Sequence, residues 1–209
     1  MAPKVALYGM PVSHWCVSAE RMLAFKGVKF RNEFVPYHDK AELIEATGQD
    51  YVPALLWDGK FVVWSKIPEF LEKQVKEPRL YPRGMKGVTK VIEDWGHQVL
   101  EEKVWRTVVT EVPPVLHTDH ERWVFEEMQT RARGPWHVLK SRKAEFEADM
   151  LKHLAMVDAM LEGKEWIFGT PSAADFGVYG GMSPLLTVGR KPPGRLVGLR
   201  RWVERIRAM

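Results

Sequence analysis

Apolar positions along the chain follow two regimes. Up to about residue 75 they come in short runs cut by turn residues, and beyond about residue 88 they recur every three or four positions. Val5–Gly9 (VALYG) is apolar and closed by glycine, which predicts a buried strand. In VSAERMLAFKG, Val17, Met22, Leu23 and Phe25 stand among Glu20, Arg21 and Lys26, as in an amphipathic helix that ends at Gly27. KFRNEFV, stopped by Pro36, predicts a second strand. YHDKAELIEATG predicts a short helix, with Asp39 placed to cap it and Gly48 to close it. Tyr51–Trp57 and Lys60–Trp64 are apolar runs joined through Asp58-Gly59, a strong hairpin signal. SKIPEFLEK then predicts a helix with Ser65 as N-cap and Pro68 in its first turn. The order is β-α-β-α-β-β-α.

KEPRLYPRGMKG, residues 76–87, is rich in proline, glycine and charge and predicts a linker between residues 1–75 and an all-helical region, 88–209. VTKVIEDWGHQVLEEKVWRTVV predicts one long helix with a weak point at Gly96. HTDHERWVFEEMQTRAR predicts a second, capped at Thr118 or Asp119 and ended by Gly134-Pro135. In the third, Phe146, Met150, Leu154, Val157 and Leu161 keep the helical spacing up to Gly163. Ser172 and Asp175 have the spacing of a capping box, a folding signal with no chemistry of its own. PGRLVGLRRWVERIRAM predicts the last helix.

Composition narrows the class. A chain of 209 residues with 45% hydrophobic content allows one large cored domain or two small ones rather than disorder. The net charge of +4 is interleaved along the chain, so a nucleic-acid surface is not expected. One cysteine excludes an internal disulfide and fits a reducing compartment. No membrane-length apolar run and no signal-peptide pattern is present, so a cytoplasmic protein with no membrane partner is expected. No histidine spacing suggests a metal site, and no Gly-x-Ser-x-Gly suggests a hydrolase.

Chemistry concentrates where the first strand turns into the first helix. Ser13 and Cys16 stand three apart at the helix start, where free N–H groups and the positive dipole end stabilise a thiolate or another anion. Ser13 reads either as a hydroxyl donor to such an anion or as a helix cap. Cys16 reads either as a nucleophile or as a small buried hydrophobe. His14 and Trp15 stand between them.

This layout resembles the thioredoxin-like domain of the glutathione S-transferase superfamily, and the likeness extends over nearly the whole chain. Counted back from Lys26-Gly27, Ser13 falls where serine-type members carry the hydroxyl that activates glutathione sulfur, and Cys16 is the second position of an S-x-x-C signature. The PSAADF stretch around Ser172 is similar to the family's buried capping box. The resemblance implies a βαβαββα thioredoxin-like domain followed by an all-α domain, with glutathione as co-substrate. It implies a cis peptide at Val52-Pro53, whose Val52 backbone would pair with the cysteinyl part of glutathione. His14, Val52, Pro53, Trp64 and Ser65 are the expected glutathione contacts, Ser13 and Cys16 the expected catalytic pair. Trp95, Val99, Trp105, Trp123 and Trp136 are available to line an electrophile site between the domains. One departure stands out: where members carry an acid followed by serine before the third helix, this chain has Val63-Trp64, or Trp64-Ser65 after a one-residue shift.

The expected function is a detoxification-type glutathione transferase that directs the thiolate at a small hydrophobic electrophile. A homodimer is expected from the resemblance. Two other readings stand beside it: a non-catalytic ligand- or protein-binding member with a degenerate glutathione site, and a thiol–disulfide oxidoreductase using Cys16.

Overall fold

The computed structural model describes residues 4–209. The first half alternates β1 (Val5–Gly9), α1 (His14–Phe25), β2 (Arg31–Phe34) and α2 (Ala41–Thr47). It continues with β3 (Ala54–Trp57), β4 (Lys60–Val63) and α3 (Ile67–Gln74). The four strands order as β2-β1-β3-β4, with β1 and β2 parallel and the other two pairs antiparallel. This is the thioredoxin-like arrangement. The described residues form ten α-helices; the helical half holds α4 (Lys86–Trp95), α5 (Glu101–Val108), α6 (Asp119–Arg133), α7 (Trp136–Ser141), α8 (Lys143–Met160), α9 (Ala173–Thr187) and α10 (Val197–Arg207).

Period-two alternation divides the sheet's side chains between two cores. Val5, Leu7 and Leu55 pack with Met22 and Leu23 of α1, Ile67 and Leu71 of α3, and Phe176 of α9. Ala54, one residue before Leu55, turns to the other side with Val35, Leu43, Trp105, Val109 and Phe125. Both clusters draw on both halves of the chain. Buried Lys26 fastens the seam: its ammonium donates to Glu72 Oε2 at 2.6 Å and to Val75 O at 2.8 Å. Glu72 Oε2 also accepts the Leu80 N–H at 2.8 Å, and Leu80 O accepts the Ala173 N–H at 2.8 Å.

Helix α9 is the centre of the helical half and is buried from Ala173 to Leu185. Asp175 holds its start, accepting from Ser172 N–H (3.0 Å), Ser172 Oγ (2.8 Å), Ile167 N–H (3.0 Å) and Trp202 Nε1 (2.9 Å). The expected capping box is thus extended into a junction of three segments. Small residues let neighbouring backbones touch α9. A Cβ on Gly180 would lie 1.9 Å from Ser18 Oγ of α1, and one on Gly181 would lie 2.0 Å from Gly96 O.

That contact explains what happens at Gly96. The predicted long helix is continuous, but Gly96–Leu100 opens into a π turn between α4 and α5. Insertions of this kind frequently mark functional positions in helices. Gly96 itself is required by proximity, since a Cβ there would come within 2.7 Å of the Gly177–Val178 backbone. Two capping expectations change. Ser65 lies inside a 3₁₀ turn (Trp64–Lys66) and makes no capping bond to α3, which begins at Ile67. Pro68 at the second helical position lacks an N–H, so fewer donors there need a cap. Asp39, by contrast, accepts the Ala41 N–H at 3.1 Å, and Thr118 caps α6 from Glu121 N.

Gly181→Ala is expected to cost about 2 kcal/mol or more, because backbone must shift to admit one methyl group. Gly87→Ala, in α4 with open space around it, is expected to gain about 0.4–1 kcal/mol. Urea unfolding of the two variants checks the contrast.

Candidate functional site

The β1–α1 turn places the predicted residues. Ser13 is the N-cap of α1, in extended conformation (φ −83°, ψ 116°), with its N–H donating to Met10 O at 3.0 Å. Its hydroxyl makes no capping bond to the helix backbone and lies within hydrogen-bond reach of the Cys16 thiol. Cys16 points inward. It is 2% exposed, and a Cβ on Gly9 would lie 2.8 Å from its sulfur. Burial pushes its thiol up to about 12, outweighing the bonds from Ser13 and Met10. A neutral, enclosed thiol of this kind is a packing group, and of the two roles read for Cys16 its geometry supports that one.

His14 also turns into the interior. Burial, with help from the Arg133 charge, pushes it down to about 3. The 3.7 Å approach of His14 Nδ1 to Glu101 Oε1 is therefore a contact between a neutral ring and a carboxyl, not an ion pair. Glu101 is itself driven up to about 7 by burial, against the pull of Arg133, whose guanidinium reaches Glu101 Oε1 and Glu102 Oε2 at 3.3 Å each. His14 thus belongs to the junction between the two halves of the chain rather than to an open ligand surface.

The open surface lies beside it. A cleft of about 180 Å³ runs between α1, α3 and α4. Its lining includes Pro53, Trp64 and Ser65, three of the expected glutathione contacts. The Val52–Pro53 peptide is cis. Val52, buried, precedes the first ladder residue Ala54, so it lies outside the sheet's hydrogen-bonded register. Trp15 forms one wall. Its ring stacks on His97 at 3.5 Å between centroids and meets Trp64 at 4.2 Å. Tyr81, Glu69, Lys90, Glu93 and Asp94 also line it. Ser13, two residues before Trp15, is not part of the lining.

The aromatic residues considered for an electrophile wall do not gather. Trp105 is buried against Phe125, Trp95 stacks on His153, and Trp123 is 60% exposed beside His120. Val99 is exposed, and Trp136 packs on the Trp105–Phe125 core. A shallow apolar crevice beside the β1–α1 turn is lined by Pro11, Val12, Phe34, Tyr37 and Leu116, with room of about 20 Å³, enough for about one water. His97 and Glu93 were not legible in the sequence. Their positions depend on the π turn and on the approach of α4 to α1, and neither leaves a spacing signal. Among the described residues, no group of three or more His, Cys, Asp or Glu suits a metal ion, and no helix is long and apolar enough to cross a membrane.

Comparison with known proteins places this geometry. Residues 7–79 match the family model of the glutathione S-transferase N-terminal domain. That match spans about a third of the chain, and the whole chain has the glutathione S-transferase fold. A glutathione transferase from Phanerochaete chrysosporium superposes with a TM-score of 0.82 at 18% identity, covering 98% of this chain and 96% of that one. A glutathione S-transferase from Rhodospirillum rubrum F11 gives 0.78 at 19% identity, covering 98% and 88%. Glutaredoxin 2 from Salmonella typhimurium, solved in complex with glutathione, gives 0.79 at 15% identity, covering 98% and 95%. No curated protein matches the sequence.

Cys16 alkylation in the native protein at pH 8 is expected to be slower than in the urea-unfolded chain by on the order of 100-fold or more, because the folded thiol stays protonated. Its rate should not level off until the pH approaches 12. Mass spectrometry of iodoacetamide-treated protein measures both.

Proposed function

We propose that the protein is a glutathione transferase in which Ser13 steadies the thiolate of glutathione at the start of α1. The observation that carries this reading is the state of the Ser13 hydroxyl. It stands at the N-terminus of a twelve-residue helix without capping it, next to a cleft lined by Pro53 of the cis Val52–Pro53 turn and by Ser65.

A thiol placed there meets the positive end of the α1 dipole and a hydroxyl that donates to sulfur. Both favour the anion, so the proton leaves to solvent and the sulfur lone pair is freed for attack. The thiolate then forms a bond to an electrophilic carbon. The displaced group leaves with its electron pair, or, in an addition, the carbon next to the new bond takes a proton. The apolar side of the β1–α1 turn, at Pro11, Val12 and Phe34, is where a small hydrophobic electrophile would rest. A second protomer would cover Val88 and Val91, exposed on the outer face of α4, and a homodimer is part of the proposal.

The oxidoreductase reading needs a reactive Cys16, and the burial and raised pKa of that thiol weigh against it. A binding protein with a degenerate glutathione site is the reading that absence of glutathione binding would favour, since Val63, or Trp64 after a one-residue shift, stands at the acid position and Trp64 packs on Trp15.

Ser13→Ala is expected to lower kcat/KM for conjugation of a small aryl halide about 10- to 100-fold, the worth of one hydrogen bond to a charged group. Calorimetric affinity for glutathione should stay within about threefold, and Cys16→Ala should retain conjugation. Conjugation unchanged in Ser13→Ala would overturn the role given to Ser13.

A further inference from the structure

Strand β2 (Arg31–Phe34) pairs only with β1 and so forms one edge of the sheet. An open edge presents a row of backbone N–H and C=O groups to which another strand can add. One bond shows which groups these are. Val35 N–H donates to Gly9 O at 2.9 Å, toward β1. Alternate residues of a strand direct their backbone groups to the same side, so Arg31 and Glu33 also face β1, and Asn32 and Phe34 face outward. Among the described residues, no other element bonds the backbone of Asn32 or Phe34. The net charge that often protects an edge is absent too. Arg31 and Glu33 cancel in an ion pair at 2.6 Å, and Phe34 is 51% exposed.

We infer that the occupant of this edge is β2 of a second copy of the chain, antiparallel to the first, with the two-fold axis at Asn32. Backbone parity and charge together select that register. Antiparallel residues exchange both hydrogen bonds where both face outward, which sets Asn32 opposite Asn32 of the second copy and Phe34 opposite Phe30. Arg31 then stands opposite Glu33 of the second copy, and the reverse, so four charges alternate on one face. The neighbouring registers are worse. An axis at Glu33 sets Glu33 against Glu33. An axis at Arg31 sets Arg31 against Arg31, and its compensating Lys29–Glu33 pairs use a residue outside β2. An axis at Phe34 places Pro36, which has no N–H, opposite Asn32. With the axis at Asn32 the two sheets become one continuous sheet. The contact uses neither the outer face of α4 nor the cleft, and it does not depend on glutathione.

Sedimentation velocity of the full chain in low salt, from low to high micromolar protein, tests the pairing. The wild-type mass is expected to rise with concentration. Arg31→Glu sets like charges opposite each other twice and should weaken that association by about tenfold or more. Adding Glu33→Arg to it restores the alternation with the signs exchanged, and association should return to within about threefold of wild type. A wild-type mass that stays constant, or association unchanged in Arg31→Glu, overturns the pairing. A double variant as weak as the single one overturns the register. Cross-linking gives a second reading. The axis holds the two Asn32 Cα atoms about 5.5 Å apart, within disulfide range. Under a mild oxidant Asn32→Cys should therefore give a covalent dimer on a non-reducing gel. Lys60→Cys, exposed on β4 at the opposite edge, should not. Equal cross-linking of the two variants also overturns the pairing.

Discussion

The contact of backbone with backbone around α9 is the constraint on which the rest depends. Gly177, Gly180 and Gly181 carry no side chain where α1, α4 and the π turn press in. The helix they belong to is buried and starts from a single carboxylate, Asp175, that gathers bonds from Ser172, Ile167 and Trp202. A buried acid is costly unless its oxygens are occupied. Here both are, so the cost is offset and the N-terminus of α9 is pinned. Ser18 Oγ then donates to Phe176 O at 2.9 Å, fixing α1 on α9. The position of Ser13, at the start of α1, is therefore set by a helix from the far end of the chain.

The site inherits its electrostatics from the same packing. Bringing α1, the π turn, α5 and α6 together buries His14, His97, Glu101 and Arg133 in one region. Desolvation dominates there: both histidines are held neutral and the carboxyl is pushed up to about 7 in spite of a nearby guanidinium. Cys16 is subject to the same effect, which separates it from the thiolate chemistry its position suggests. The cleft, by contrast, stays open because Trp15, His97 and Trp64 stack with one another, a rigid aromatic wall with little side-chain freedom.

The alternation that predicted the sheet and the spacing that predicted the helices are local properties, and they carried the β-α-β-α-β-β-α order, the turn at Asp58-Gly59 and the capping at Thr118 and Ser172. They carried Ser13 as well, since a residue between a strand and an amphipathic helix must lie near the helix start. They did not carry caps that a neighbouring residue makes unnecessary, as at Ser65 before Pro68. Nor did they reveal the separate helix Trp136–Ser141, a single short turn region without a full period to detect.

The class of fold and the strand-to-helix turn that carries Ser13 and Cys16 were legible along the chain, because hydrophobic period and turn residues act over a few positions. Which side chains share the cleft depends on packing between distant segments. Glu93 and His97 reach it because a π turn shifts the register of one helix where Gly96 meets α9, and Cys16 and His14 leave it because burial, not sequence neighbours, sets their direction and their protonation.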